Sequence, residues 1–298
     1  MTPGLTPRLN PGLTRILLTG KNGQVGWELV RTLAPLGEIV AYDRAGLDLA
    51  DAAAIRSVVR AVKPDIIVNA AAYTAVDKAE SEPALAHAVN GAAPGILAGE
   101  AVKLGALLVH YSTDYVFDGA KPEPYTEADA PNPLNVYGAS KLAGERAIAA
   151  SGARHLVLRT SWVYGLRGRN FLLTMLKLGA ERDEITVVDD QIGAPTWCRA
   201  IAEATAQILL GLRERPDFAA SGVYHLSAAG RVSWCGFAAA IMRLTRSACR
   251  VKPIPSRDYP LPARRPANSL LDNDKLHGQF GVALDGWDDM LAACLRQR

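Results

Sequence analysis

The sequence predicts an α/β protein: a Rossmann-type, doubly wound parallel sheet followed by a smaller C-terminal substrate lobe. Three observations predict it. A short apolar run, Arg15 to Thr19, passes straight into a glycine turn, Gly20-Lys21-Asn22-Gly23-Gln24-Val25-Gly26, and then into a helical stretch, Trp27 to Leu36. Strand-length apolar runs recur at 38–42, 65–69, 106–110 and 155–159, alternating with helical patterns, which is how a parallel sheet with crossover helices is written. The run at 38–42 ends at an acid, Asp43, about 20 residues beyond the turn.

Each part of the first unit has a mechanical task. Glycines allow the tight turn and let the backbone approach a pyrophosphate. The helix start directs free N–H groups and a positive dipole end at that anion. Asp43 is placed to accept hydrogen bonds from an adenosine ribose and so favours NAD. Arg44 beside it suits the 2′-phosphate of NADP, so NADPH and NADH both stay open as cofactors. The glycine spacing is GxxGxxG, and this turn resembles that of the short-chain dehydrogenases/reductases.

Asp51 to Val62 is helical, and the third strand ends in Asn69-Ala70-Ala71-Ala72-Tyr73-Thr74. Small residues at the carboxyl end of a parallel strand leave room for a ligand. Pro83 to Leu104 reads as an alanine-rich helix. The fourth strand, Ala106 to His110, delivers Ser112, Thr113 and Asp114 at its carboxyl end. Tyr137 opens the next helix, and Lys141 lies four residues on, one turn away on the same face. Of the nine tyrosines only Tyr137 has that partner. An ammonium beside a phenol favours the phenolate, which suits proton transfer with a substrate oxygen. Between them, Lys121 to Pro133 holds four prolines and three acids and reads as a surface loop placed to gate the site.

After the fifth strand and Thr160-Ser161-Trp162-Val163-Tyr164-Gly165 the rhythm loosens. Residues 15–165 therefore form the dinucleotide-binding unit, and 166–298 mainly the substrate lobe, with some segments returning to the first unit. Helices are expected at 170–178, 199–212 and 237–245, strands at 184–188 and 223–226, and two short helical segments at the end. Arg264 and Arg265 are either a diphosphate clamp or solvated charges.

A net charge of +3, with no basic tract interleaved with aromatics, argues against a nucleic-acid partner. The four cysteines form no CxxC pair, which argues against zinc and for a reducing compartment. No apolar run is long enough to span a membrane. Residues 1–14 read as a flexible extension without a signal-peptide core, so the expected location is cytoplasmic.

Taken together, the stretches 20–26, 69–78, 111–117, 135–141, 159–164 and 264–269 resemble the dTDP-4-dehydrorhamnose reductases, an extended short-chain dehydrogenase/reductase family. The resemblance covers nearly the whole chain after Thr14. It implies hydride transfer from NADPH or NADH to C4 of dTDP-4-dehydro-6-deoxy-L-mannose, giving dTDP-L-rhamnose. By matched position, Tyr137 protonates the C4 oxygen, Lys141 holds the nicotinamide ribose and lowers the Tyr137 pKa, and Thr113 tunes the proton transfer. The cofactor set is Gly20, Gly23, Gln24, Val25, Asp43, Arg44, Asp48, Leu49, Ala71, Ala72, Tyr73 and Thr74, with Tyr137 and Lys141. Thr113, Asp114 and Trp162 contact the sugar, while Asn170, Gln191, Arg264 and Asn268 suit the nucleotide. Some members of the family bridge subunits with magnesium held by glutamates. Glu28 matches one such position, but Arg199 stands where a second glutamate is expected, which disfavours Mg2+ here; no metal ligand is assigned, and a homodimer stays open. The competing readings are a cofactor-binding regulatory subunit of the methionine adenosyltransferase type and another nucleotide-sugar epimerase or reductase.

Overall fold

The computed structural model describes residues 14–214 and 221–298. The expected N-terminal extension lies outside the described residues except for Thr14.

The chain runs β1 (Arg15–Thr19), α1 (Gln24–Thr32), β2 (Glu38–Tyr42), α2 (Ala52–Val62), β3 (Ile66–Asn69), α3 (Val76–Ala79), α4 (Pro83–His87), α5 (Ala93–Leu104), β4 (Leu107–Thr113), α6 (Val136–Ala150) and β5 (His155–Thr160). It continues through β6 (Val163–Tyr164), α7 (Phe171–Glu181), β7 (Glu184–Val188), β8 (Ile192–Gly193), β9 (Thr196–Trp197), α8 (Cys198–Glu214) and β10 (Gly222–His225). It ends with β11 (Val232–Ser233), α9 (Trp234–Thr245), β12 (Arg250–Ile254), α10 (Asp274–Phe280) and α11 (Trp287–Leu295).

Six strands pair in parallel in the order β2-β1-β3-β4-β5-β10. Successive strand residues face opposite sides. Ile16, Leu18, Ile66, Val68, Val109 and Leu158 pack with α1 and α8 on one face, and Leu17, Ile67, Leu108 and Val157 pack with α2 and α5 on the other. Both faces are therefore covered, as a parallel sheet requires. The strand order reverses between β1 and β3, which opens a crevice at their carboxyl ends. A second core gathers Tyr164, Leu172, Phe237, Ile241 and Leu291 beyond the sheet.

Several expectations shift. Helix α1 starts at Gln24 rather than Trp27, immediately after the glycine turn. Strand β4 runs on to Thr113, so Ser112 and Thr113 are strand residues. Apart from these shifts, β10 lies in the main sheet and α8 on its flank, so segments after 165 are part of the first unit. The helix expected over 83–104 is divided by a wide π turn at Ala88–Ala92. Pro94 has no N–H to give the Asn90 carbonyl, so the regular ladder is broken there. The loop at 121–133 is tied down rather than free to gate: Tyr125 N–H donates to the Leu270 carbonyl at 2.8 Å, the Tyr125 ring stacks on Phe117, and the Asn132 N–H donates to the Val116 carbonyl at 2.9 Å.

Candidate active site

The crevice is a cavity of about 530 Å³ lined by the glycine turn, the ends of β2 and β3, and the start of α6. Gly20 sits at φ +76°, and a Cβ there would lie 2.7 Å from the Ala71 nitrogen. A Cβ on Gly26 would lie 2.0 Å from the Gly20 carbonyl oxygen, so turn and helix close only without side chains. Gly23 caps α1 without a side-chain bond, leaving the first helix N–H groups directed at the cavity. These features fit a dinucleotide: an anion cradle at one end and an acid, Asp43, at the other. Asp43 accepts hydrogen bonds from the Gly46 N–H at 3.0 Å and the Asn22 amide at 3.1 Å, which hold its carboxyl below the usual value.

Gly20, Gly23, Gln24, Val25, Asp43, Arg44, Asp48, Leu49, Ala71, Ala72, Tyr73, Thr74, Tyr137 and Lys141 all line this one cavity. Three further residues shape it and were missed from the sequence. Gly168 and Arg169 close it from the loop before α7. Asn90, in the π turn, accepts from the Tyr73 N–H at 2.8 Å and donates to the Tyr73 carbonyl and the Ser140 hydroxyl, each at 3.0 Å. The one signal for Asn90 was an amide in an alanine-rich helix.

At the floor of the cavity the Thr113 hydroxyl hydrogen-bonds Tyr137, whose own hydroxyl is pushed up to about 12 by burial. The expected lowering by Lys141 does not occur. Burial raises the phenol, and the Lys141 ammonium turns away toward β4, donating to the Tyr111 carbonyl at 2.5 Å with His110 Nε2 at 3.2 Å. Burial lowers the Lys141 amine to about 8, against the opposing charge of Glu145. The Tyr137 phenol is thus a protonated group at neutral pH, the form an acid needs.

A second cavity of about 670 Å³ adjoins the first. Tyr115 lines it and meets Tyr137 edge to face at 5.8 Å, so the two cavities touch at these rings. Gln191 and Arg264 line it, and so does Arg265. Arg265 is not a solvated charge, because both its terminal nitrogens lie 2.6 Å from the Asp77 carboxylate.

The other substrate residues expected from sequence lie behind these walls. Asn170 caps α7 and donates to Gln24 Oε1 at 2.8 Å, so it positions the glycine turn. Asn268 donates to the carbonyls of Lys121 and Glu123 and is buried. Asp114 is buried, bonded by Thr113, Ser161 and Ser269, and raised to about 6 by loss of solvent. Trp162 stacks on Trp234 with ring centroids 3.5 Å apart, and Trp234 is the ring that reaches the second cavity. In each case the side chain's polar groups or ring face are engaged within the protein. Glu28, the matched magnesium position, pairs with Arg199 at 3.0 Å.

A family model described as the RmlD substrate binding domain matches residues 14–298. The dTDP-4-dehydrorhamnose reductase of Burkholderia thailandensis is 52% identical, over 95% of this chain and 98% of the relative. This chain belongs to the dTDP-4-dehydrorhamnose reductase family. The Escherichia coli K12 member of the dTDP-4-dehydrorhamnose reductases is 46% identical over 91% of this chain and 94% of the relative. A solved dTDP-4-dehydrorhamnose reductase from Bacillus anthracis, in complex with NADP, superposes with a TM-score of 0.89 at 36% identity and covers 96% of this chain and 100% of that one. The doubly wound sheet expected from the glycine turn is the fold of this family.

Proposed function

We propose that this chain reduces the C4 keto group of dTDP-4-dehydro-6-deoxy-L-mannose to give dTDP-L-rhamnose, with NADPH or NADH as reductant. The observation that carries this reading is the meeting of the two cavities at Tyr115 and Tyr137, with Thr113 bonded to the Tyr137 hydroxyl. The bound dinucleotide supplies the hydride. Tyr137 donates its hydroxyl proton to the C4 oxygen as negative charge grows there. Thr113 orients that hydroxyl, and the buried Lys141 ammonium offsets the phenolate that remains. The second cavity takes the nucleotide, with Arg264 and Gln191 as its polar groups. Binding energy from that remote part fixes the sugar over the cofactor, so affinity is converted into orientation. The four cysteines, all buried and unpaired, support a reducing, cytoplasmic setting.

The test is NADPH oxidation with the dTDP-linked 4-keto sugar against the same sugar without its nucleotide. Turnover of the linked sugar alone is the expected result. Equal turnover of the free sugar would remove the nucleotide clamp, and cofactor binding with no turnover of either would favour a regulatory cofactor-binding role.

A further inference from the structure

Behind Lys141 runs a chain of polar side chains that the reduction itself does not use. Thr19 Oγ1 lies 2.6 Å from Asn69 Oδ1, Asn69 Nδ2 lies 3.0 Å from His110 Nδ1, and His110 Nε2 lies 3.2 Å from Lys141 Nζ. The four groups come from three adjacent strands and α6, and none is more than 2% exposed. Among the described residues no carboxylate touches His110, and burial beside Lys141 keeps its imidazole neutral.

A neutral imidazole has one N–H and one lone pair. An ammonium has no lone pair, so it can face Nε2 only if His110 carries its proton on Nδ1. That Nδ1–H then needs an acceptor, which is the Asn69 carbonyl oxygen once the amide is turned, with its NH₂ donating to Thr19. In the opposite arrangement the Asn69 NH₂ donates to Nδ1, the proton sits on Nε2, and only an uncharged amine can accept from it. The Thr19 hydroxyl both donates and accepts, so it suits either arrangement. The chain is therefore self-consistent in two forms, one for each charge state of Lys141.

We propose that His110 is a positioning residue: its Nε2 lone pair, oriented by Asn69 and Thr19, holds the Lys141 ammonium in the place from which it acts on Tyr137 and the cofactor. The other charged group bearing on Lys141 is Glu145, one turn along α6 and itself paired with Arg159 of β5. Glu145 favours the charged lysine from one side, and His110 provides the acceptor on the other. Replacing His110 by an apolar ring leaves the ammonium with the Tyr111 carbonyl alone, and the lysine then loses its proton at lower pH.

The kinetic arm rests on the reductase reading, so the primary measurement does not use turnover. The Lys141 side chain is titrated by NMR in protein carrying lysine labelled at Cε, with the signal assigned by its loss in Lys141→Arg. In His110→Phe the midpoint is expected to fall by about one unit, a tenfold change in the proton equilibrium. His110→Gln, which keeps an acceptor, is expected to restore it. In the same variants, reduction by His110→Phe should fall about tenfold at pH 8.5 yet stay within about twofold of the parent at pH 6.5. Should His110→Phe prove unfolded by circular dichroism, Asn69→Leu tests the same chain and should move the midpoint in the same direction. An unmoved midpoint in a folded apolar variant overturns the proposal, as does an equal drop in His110→Phe and His110→Gln. A shifted midpoint in a chain without reductase turnover would support the His110 assignment while removing the functional reading.

Discussion

Arg265, in the wall of the second cavity, and Asp77 of α3 form a two-pronged ion pair, each contact 2.6 Å. Asp77 also accepts from the Ala263 N–H at 3.1 Å, so the pair pins the 263–265 turn to α3 just past the cofactor wall. The fork geometry of guanidinium on carboxylate is what lysine lacks. Arg265→Lys and Asp77→Asn should each raise KM for the sugar nucleotide roughly tenfold, about 1.4 kcal/mol, and leave cofactor affinity unchanged. Steady-state kinetics beside fluorescence titration of NADPH measures both. An effect on the cofactor alone would show that the pair serves the first cavity instead.

Tyr137→Phe removes the proton and keeps the ring. Turnover should drop by roughly 10²–10⁴ while NADPH binding stays near normal. Near-parental turnover would take Tyr137 out of the mechanism.

Cofactor choice should divide between two residues, with a third serving both cofactors. Asp43→Ala should weaken NADH relative to NADPH, and Arg44→Ala should weaken NADPH relative to NADH. Arg169, which reaches the cavity from the side facing the glycine turn, should weaken both cofactors alike when changed to alanine. Dissociation constants for the two cofactors on the three variants decide this. Unchanged ratios in the first two would mean that the end of β2 does not read the ribose.

Glu28 is occupied by Arg199, so turnover should survive exhaustive dialysis against EDTA. Activity lost on dialysis and recovered with magnesium alone would count against the arginine argument.

Glu100 is buried on α5, bonded by Arg60 at 2.7 and 2.8 Å and by Lys103 at 2.7 Å, and its carboxyl is held down to about 2. A depressed carboxylate stabilises the fold above its ordinary pKa of 4.5, and that stability is lost as pH falls toward the folded value. Both cations are more than half exposed, so screening limits the gain to about 1–2 kcal/mol. Glu100→Gln should therefore lower thermal stability at pH 7, with the gap closing between about pH 5 and pH 2. A gap independent of pH would mark a packing effect.

Legibility followed how local the determinant was. The glycine turn, Asp43 and the Tyr137–Lys141 spacing are set by a few adjacent residues, so the first cavity could be read along the chain. Asn170 and Asn268 carry polar groups of the right kind, but their carbonyl and amide partners are fixed only by the tertiary fold. The Arg265–Asp77 pair spans 188 positions, so no local pattern announces it. Strand β12 was missed because Arg250, Lys252 and Pro253 are exposed, and its pairing with β7 rather than an apolar face defines it. The direction of Lys141 was missed for a different reason. Helical spacing places it beside Tyr137, but a buried ammonium seeks acceptors, and those lie on β4.

The wide turn at Ala88–Ala92 makes the chain length between α4 and α5 part of the cofactor wall. A π turn holds one residue more than the α-helix it interrupts. Deleting a single alanine there would let the segment relax to a regular helix, rotating α5 by about 100° relative to α4. Asn90 could not then meet Tyr73 on one side while Gly144 of α6 still closes on the Asn90 carbonyl from the other. This segment should thus accept changes of side chain at its exposed positions yet reject any gain or loss of one residue, a reading-frame constraint imposed on a stretch of otherwise ordinary alanines.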